Sequence, residues 1–458
     1  MSQLPVELRR QCLEYLNVET LKTVRLINKE LGSLGTEILF RTAILNNWDD
    51  GADNFVNIVQ SSLNSLVRRV VINTSYDPEY VGAGQEEEEF RESFGQAIAI
   101  LCDFENVDEV VVNFARECAY PDDDPNSTDL SKNVVETKTF RLEVLDFLFT
   151  AVRQAEKVKA LTIKNLQDYM DKAVFDSEDF AAVRDRLTKL HLQIATEGEE
   201  GALEDNIEKP ACHQGFGIHL PDIWLKPLAS QLTHLSLYGT ECLWGVWPIV
   251  DLRQVPSFPQ LKSLSLGNFT VAYDWQIEWI LSHGPTLQEL LLDDCPMIVA
   301  LKLGESVANT IFPDLPRLMD VSPGTTDVPE WYFKNIDLRW HDIFDRFRIK
   351  LLQLQHFSIG SGHWANGTAF EERYQLECHV LNGRYFMFDC GVDQSPWVSM
   401  EEGDDGHGFR MGSAENSWVN FRVESADLWV DFPQCRDEDE RALVMLLDAV
   451  NARTSANG

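Results

Sequence analysis

Residues Leu232–Leu237 read "LTHLSL", and 29 residues further on Leu261–Leu266 read "LKSLSL". Both put apolar side chains at the first, fourth and sixth positions. In an extended chain the fourth and sixth fall on one face while their neighbours point the other way. The same form returns as "VRRVVI" from Val67, "VDEVVV" from Val107, "VKALTI" from Val158, "LTKLHL" from Leu187, "LQELLL" from Leu287 and "LQHFSI" from Leu354. Eight short strands of one design are therefore predicted, each sending its apolar pair into a shared core.

Amphipathic helical stretches precede several of them: "EFRESFGQAIAILCDF" before 107, "FRLEVLDFLFTAVRQAE" before 158, "YDWQIEWILSHG" before 287 and "LRWHDIFDRFRIKL" before 354. Strand alternating with helix is an α/β layer arrangement. An ordinary parallel sheet has longer apolar runs with no common motif, so the shared motif favours a leucine-rich-repeat solenoid. The intervals between motif starts are 40, 51, 29, 45, 29, 26 and 67 residues. Only three lie near the ~20–29 of regular repeats, so the solenoid is expected to be irregular, with long insertions.

Around this array the bulk composition sets limits. A chain of 458 residues with 44% hydrophobic and 10% aromatic residues has material for a sizeable core and is too long for one compact hydrophobic centre. With 39 Lys and Arg against 74 Asp and Glu, the formal charge of -35 repels phosphate, so neither nucleic acid nor an anionic membrane is expected as a partner. The acidic blocks Glu86–Glu89 and Asp122–Pro125 read as solvated loops. Nine cysteines with no Cys-x-x-Cys pair fit reduced thiols, and no signal peptide, transit peptide or spanning segment is evident. The expected location is cytoplasmic or nuclear, which makes the sequons at Asn126 and Asn366 coincidental.

The first residues carry a different signal. "LPVELRRQCLEYL" (Leu4–Leu16) has proline where a helix starts, Glu7 near the same end, and apolar residues Leu8, Cys12 and Leu16 four apart. Asn17 breaks this helix and can cap the next. "NVETLKTVRLINKELGSLGTEILFRTAIL" supports two more short helices. Three helices in some forty residues leave apolar surface over, which should pack on a partner or on the rest of the chain.

Leu4-Pro5 with Glu7, then Tyr15-Leu16, "LKTVRLINKEL" (Leu21–Leu31) and "LFR" (Leu39–Arg41) resemble an F-box over about a tenth of the chain. The resemblance implies docking onto the Skp-family adaptor of a cullin-RING ubiquitin ligase. It places contact residues at Leu4, Pro5, Glu7, Leu8, Leu13, Leu16, Leu21, Val24, Arg25, Leu26 and Asn28. Asn28-Lys29 is a departure, since many members carry Cys-Lys there. "WQIEWILSHGPTLQELLLDDCPMI" (Trp275–Ile298) and "LRWHDIFDRFRIKLLQLQHFSIG" (Leu338–Gly360) further resemble fungal F-box proteins with degenerate leucine-rich repeats.

After Gly360 the motif stops. "YQLECHVLNGRYFMFDCGV" reads as two strands around Asn382-Gly383, and "DEDERALVMLLDAVNAR" as a last helix. The expected fold is thus α/β, with an N-terminal three-helix F-box at residues 1–46, an irregular leucine-rich-repeat solenoid at 47–363 and a C-terminal capping segment at 364–458.

No enzyme motif accompanies this organisation. Cys212, His213 and His219, and separately Cys378-His379, lack four ligands at a zinc spacing, and "GAG" (Gly82–Gly84) lacks the phosphate-binding form. No catalytic residue, metal or cofactor is expected. The expected role is a non-enzymatic substrate-recognition adaptor of a Skp-cullin-F-box ligase with an unknown protein target; the alternative is an interaction scaffold that binds the Skp adaptor without acting in ubiquitylation. Strand alternation puts Lys189, His191, His234, Ser236, Tyr238, Glu289, Leu291 and Asp293 on an outward row that could receive the target, with Tyr238 and an exposed Leu291 as anchors. The competing expectation is that insertions bury this face.

Overall fold

Every one of the eight motifs is a strand in the computed structural model, which describes residues 4–76, 90–118, 135–196, 215–240, 242–304, 331–362, 371–389, 397–399 and 433–457. They are β2 (Arg69–Asn73), β3 (Glu109–Asn113), β4 (Ala160–Gln167), β5 (Lys189–Ala195), β6 (His234–Thr240), β7 (Ser263–Gly267), β8 (Glu289–Asp293) and β11 (His356–Gly360). A further strand, β1 (Thr42–Asn46), which the motif search misses, lies at the edge beside β2. Together they make one nine-stranded, all-parallel sheet in the order β1-β2-β3-β4-β5-β6-β7-β8-β11. A second sheet has four strands: β9 (Met297–Gly304), β10 (Trp331–Asn335), β12 (Tyr385–Asp389) and β13 (Trp397–Ser399), in the order β10-β9-β12-β13.

This corrects the expected architecture. The α/β class stands, but the chain does not consist of a three-helix F-box followed by a repeat solenoid and a terminal cap. Three helices do open it, α1 (Val6–Glu14), α2 (Val18–Val24) and α3 (Lys29–Leu39), yet α3 runs straight into β1, and the helices share one compact unit with the first strands. The connection from β8 to β11 holds two strands of the other sheet, which a stack of equivalent repeats would not contain. The expected hairpin at Asn382-Gly383 is also corrected. Only its second arm is a strand, β12, which pairs antiparallel with β13 and parallel with β9.

Two compact units divide the chain, one comprising Met1–Arg116, Asn133–Lys164 and Lys172–Leu187, the other Glu117–Lys132, Asn165–Asp171 and Thr188–Gly458. In the first, α1–α3 close on Leu13, Leu21, Leu31 and Leu34, with Leu16, Val24 and Ile38 packed at the margin. Asn17 caps α2 by accepting from the Thr20 amide at 2.9 Å, and Asn28 caps α3 through Leu31 at the same distance. Arg10 grips Glu37 through two bonds of 2.7 and 2.8 Å, tying α1 to α3. Where β1, β2 and β3 end, Asn113 donates to Asn73 at 2.7 Å and Asn73 to Asn46 at 2.9 Å, so a side-chain ladder holds the strands in register. The helix Lys138–Gln154 buries Phe149 against Phe180 of the helix Glu178–Arg184, with ring centroids 5.0 Å apart.

In the second unit the strands are buried on both faces: every residue of β7 is buried, and all but the first of β6 and β8. That is the pattern of a parallel sheet covered on both sides. The four-stranded sheet has its own core of Val246, Trp247, Ala272, Ile298, Leu301, Leu303, Ile336, Phe388 and Trp397. The expected last helix is present as Arg436–Asn457 and packs on the helix Trp340–Lys350. Among the described residues no helix is long and apolar enough to cross a membrane.

Candidate functional site

The residues that the resemblance marks for adaptor docking separate into two groups. Leu13 and Leu21 are core, Leu16 and Val24 pack against it, Arg25 donates to Thr36 Oγ1 at 2.9 Å and lies over the Phe40 ring, and Asn28 is spent on its cap. Leu4, Pro5, Glu7, Leu8 and Leu26 are exposed instead. Leu26 is 86% exposed, Leu8 46% and Leu4 40%, and Val6, Tyr15, Val18 and Ile27 add to the exposed apolar surface of these helices. A core already closed by four leucines has no use for these side chains. Seven large apolar side chains in and beside these three helices are thus left in water.

The outward row on the sheet is placed differently from the sequence expectation. Lys189, His234 and Glu289, each the first residue of its strand, are half-buried, while His191, Ser236, Tyr238, Leu291 and Asp293 are buried. Leu291 is fully enclosed, so it cannot serve as the exposed anchor. At the β8–β11 end of the row, residues 373–379 lie against the strands. Tyr374 donates to Glu289 Oε1 at 2.8 Å, Arg373 lies 3.3 Å from Glu289 Oε2, Ser358 donates to the Leu376 carbonyl, and His379 donates to that of Ile359 at 2.9 Å. The row is buried, as the competing expectation has it, but these contacts come from the segment expected as a C-terminal cap and not from an insertion between strands.

Inside the covered face the row makes internal contacts. His191 Nδ1 lies 2.9 Å from Ser236 Oγ. The Tyr238 ring lies against Gly267, whose absent Cβ leaves the space it fills, and its phenol meets Asp293, which also accepts from the Gly362 amide at 2.8 Å. Burial, helped by Asp293, pushes the Tyr238 hydroxyl well above its ordinary value, so the phenol stays protonated. Burial, followed by Lys189, pushes His234 down to about 4, leaving it neutral at pH 7. At Glu289 burial opposes the charge, yet the Tyr374 bond and the Arg373 guanidinium hold the carboxyl below its usual range. His234 is thus neutral at pH 7, Tyr238 protonated and Glu289 ionised beside Arg373, and the side chains of the row are engaged with one another and with residues 373–374.

One cluster escapes the sequence search. Asp439, fully buried in the first turns of the last helix, accepts from the backbone amide of His341 at 3.0 Å and lies 2.9 Å from His341 Nδ1. Its other oxygen accepts from Arg384 Nε at 2.7 Å and from the Tyr385 hydroxyl at 3.0 Å. Cys435 Sγ sits 3.5 Å from that oxygen and 3.4 Å from the Tyr385 hydroxyl. The available signal was Cys435-x-x-x-Asp439, four apart and hence on one face of a helix. The histidine lies 94 residues before the cysteine, a separation that no local spacing rule covers. Cys378 and His379, weighed from sequence as ligands, do not join it; His379 Nδ1 lies 2.9 Å from the Glu377 carbonyl. Cys212 and His213 fall outside the described residues.

Neither a protein-family model nor a curated protein matches this chain.

Proposed function

We propose that this chain is a non-catalytic recognition subunit, docking a Skp-family adaptor of a cullin-RING ligase through α1 and the α2–α3 turn and presenting a protein target for ubiquitylation with the rest of its surface. The observation that carries this reading is the exposure of Leu4, Leu8 and Leu26 beside a core that closes without them. The choice of a Skp-family adaptor as partner rests on the likeness in sequence of residues 4–41 to an F-box, and on nothing in the fold. A recognition subunit works by holding a target lysine near a charged ubiquitin carrier and supplies no reacting group of its own. The burial of the β-strand row directs the search for the target surface to exposed residues elsewhere.

The test is reconstitution of the full chain with a purified Skp-family adaptor, comparing Leu8→Asp and Leu26→Asp with the parent. A carboxylate forced into an apolar interface costs several kcal/mol, so a loss of affinity of about 100-fold or more is expected with no change in the melting transition. Leu13→Asp, inside the core, should instead unfold the helices. Undiminished adaptor binding by both surface variants would refute the docking assignment. Co-purification of a cullin from the native cell separates a ligase subunit from a scaffold that holds the adaptor alone.

A further inference from the structure

We propose that His341, Cys435 and Asp439 form a zinc-binding site that pins the C-terminal helix to the rest of its unit. The inference is independent of the adaptor reading and rests on geometry alone. The three donor atoms, an imidazole nitrogen, a thiol sulfur and a carboxylate oxygen, all lie within 4.8 Å of one another. A tetrahedral zinc with bonds of about 2.0–2.3 Å separates its ligands by about 3.3–3.7 Å. The nitrogen–oxygen edge here is 2.9 Å, the sulfur–oxygen edges 3.5 and 3.7 Å and the nitrogen–sulfur edge within 4.8 Å, so a metal would draw the imidazole and the thiol together by up to about 1 Å.

The donor set chooses the ion. Sulfur and imidazole together favour zinc over magnesium or calcium, which take oxygen ligands. Each ligand is held by the fold before any metal arrives. Asp439 is one helical turn beyond Cys435 and bonded to its carbonyl at 3.0 Å, while His341 is fixed to Asp439 through its own backbone amide. Arg384 and Tyr385 occupy the carboxylate oxygen turned away from His341 Nδ1, the outer-shell support that ligating carboxylates receive in metal sites. His341 and Cys435 are half-buried and so partly open to solvent, while Asp439 is buried. Binding displaces the thiol proton, which leaves to solvent, and the sulfur's freed electron pair forms the bond to zinc.

Without metal the same atoms make a hydrogen-bonded latch, so the experiment must separate the two. The full chain, stripped with chelator, is titrated with zinc alone in competition with a chromophoric chelator, and its melting is monitored with and without the ion. One equivalent should bind tightly and raise the melting temperature. Cys435→Ser and His341→Ala, which remove ligands, should each weaken binding by more than the roughly 10–100-fold that loss of an outer-shell partner costs, while Cys378→Ser, also a half-buried thiol, leaves it intact. Magnesium and calcium should give no shift. Absence of stoichiometric zinc binding by the parent, or binding retained in Cys435→Ser but lost in Cys378→Ser, would overturn the proposal. Variants that melt as the metal-free parent does while losing zinc affinity exclude misfolding as the cause.

Discussion

A methyl group added at Gly267 would sit 1.9 Å from the Tyr238 ring, a distance that no rotamer of a buried tyrosine can relieve without moving its phenol off Asp293. Overpacking of this kind costs about 1–3 kcal/mol, so Gly267→Ala should lower the urea midpoint by a matching amount. Tyr238→Ala should cost more on its own, about 3–5 kcal/mol, by opening a cavity, but the double variant should cost clearly less than the two losses combined, because without the ring the added methyl group meets no obstacle. Strict additivity would show that the ring does not depend on the glycine. The sequence placed Tyr238, Gly267 and Asp293 on the same face, and that much was legible from alternation. Their closure into a buried contact was not, because alternation gives the face a residue lies on and not what it meets there: the Tyr238 ring fills the space beside Gly267, and Asp293 accepts from Gly362 beyond the last motif strand.

His283 makes a second residue-scale case. It is 1% exposed, stacked on Phe258 at 5.5 Å and edge-on to Trp279 at 4.7 Å, and burial pushes it down to about 4. A histidine depressed on folding takes up its proton more readily when unfolded, so its contribution is complete above about pH 6.5 and is lost as pH falls toward 4. The slope approaches about 1.4 kcal/mol per pH unit in that window. His283→Phe keeps the stack and removes the titration. Denaturant titrations at pH 7 and pH 5 should therefore show a smaller stability difference in the variant than in the parent; an unchanged difference would mean that the buried ring is not what titrates.

At the scale of elements, the helix Arg436–Asn457 depends on Asp439 at its start and on Ala442, Leu443, Leu446 and Val450 along its buried face. Asp439→Asn keeps the shape but leaves Arg384, 5% exposed, without its counter-charge. Breaking a buried pair from one side costs about 3–5 kcal/mol, whereas replacing both members with apolar groups is often close to neutral. Arg384→Met added to Asp439→Asn should thus recover part of the loss, measured by denaturant unfolding; a further loss would show that the guanidinium is held by something other than this carboxylate. The helix itself was legible because its apolar spacing is local. The same holds for the eight motif strands, where two apolar side chains of fixed spacing enter a core whatever the neighbouring sequence. β1 was not, since "TAILN" carries a single alternation and takes its partner, β2, from 27 residues away. The four-stranded sheet was invisible for the same reason, its parallel β9–β12 pair joining residues more than eighty apart.

For the molecule as a whole, the governing quantity is the charge of -35. Compact folding brings these carboxylates closer than the unfolded chain does, and their mutual repulsion opposes it. Salt screens that repulsion, with a Debye length falling from about 30 Å at 0.01 M to about 8 Å at 0.15 M. Some pairs pull the other way: Arg346 bridges Asp274 and Glu278 at 2.7 and 2.6 Å, and Arg153 pairs with Asp179, and the bonds that Glu278 and Asp179 accept hold their carboxyls below the usual range. Exposed pairs contribute at most about 1 kcal/mol each, and the excess of 74 acidic over 39 basic side chains leaves many carboxylates without a cation. Repulsion should win, and the melting temperature should rise as sodium chloride goes from 10 to about 150 mM. The lowered carboxyls add an acid limit, since their stabilisation is lost as pH falls through about 4, below the window in which His283 acts. Acidification from pH 7 to pH 5 therefore sets a modest relief of repulsion against the loss at His283 and at the equally depressed His234, and salt distinguishes the two. At about 0.5 M sodium chloride the relief is already screened out, so the fall in melting temperature between pH 7 and pH 5 should be steeper than at 10 mM, and His283→Phe should lessen it at both, leaving the part that comes from His234. A fall that is the same at both salt concentrations would show that the net charge contributes nothing to the stability of this fold.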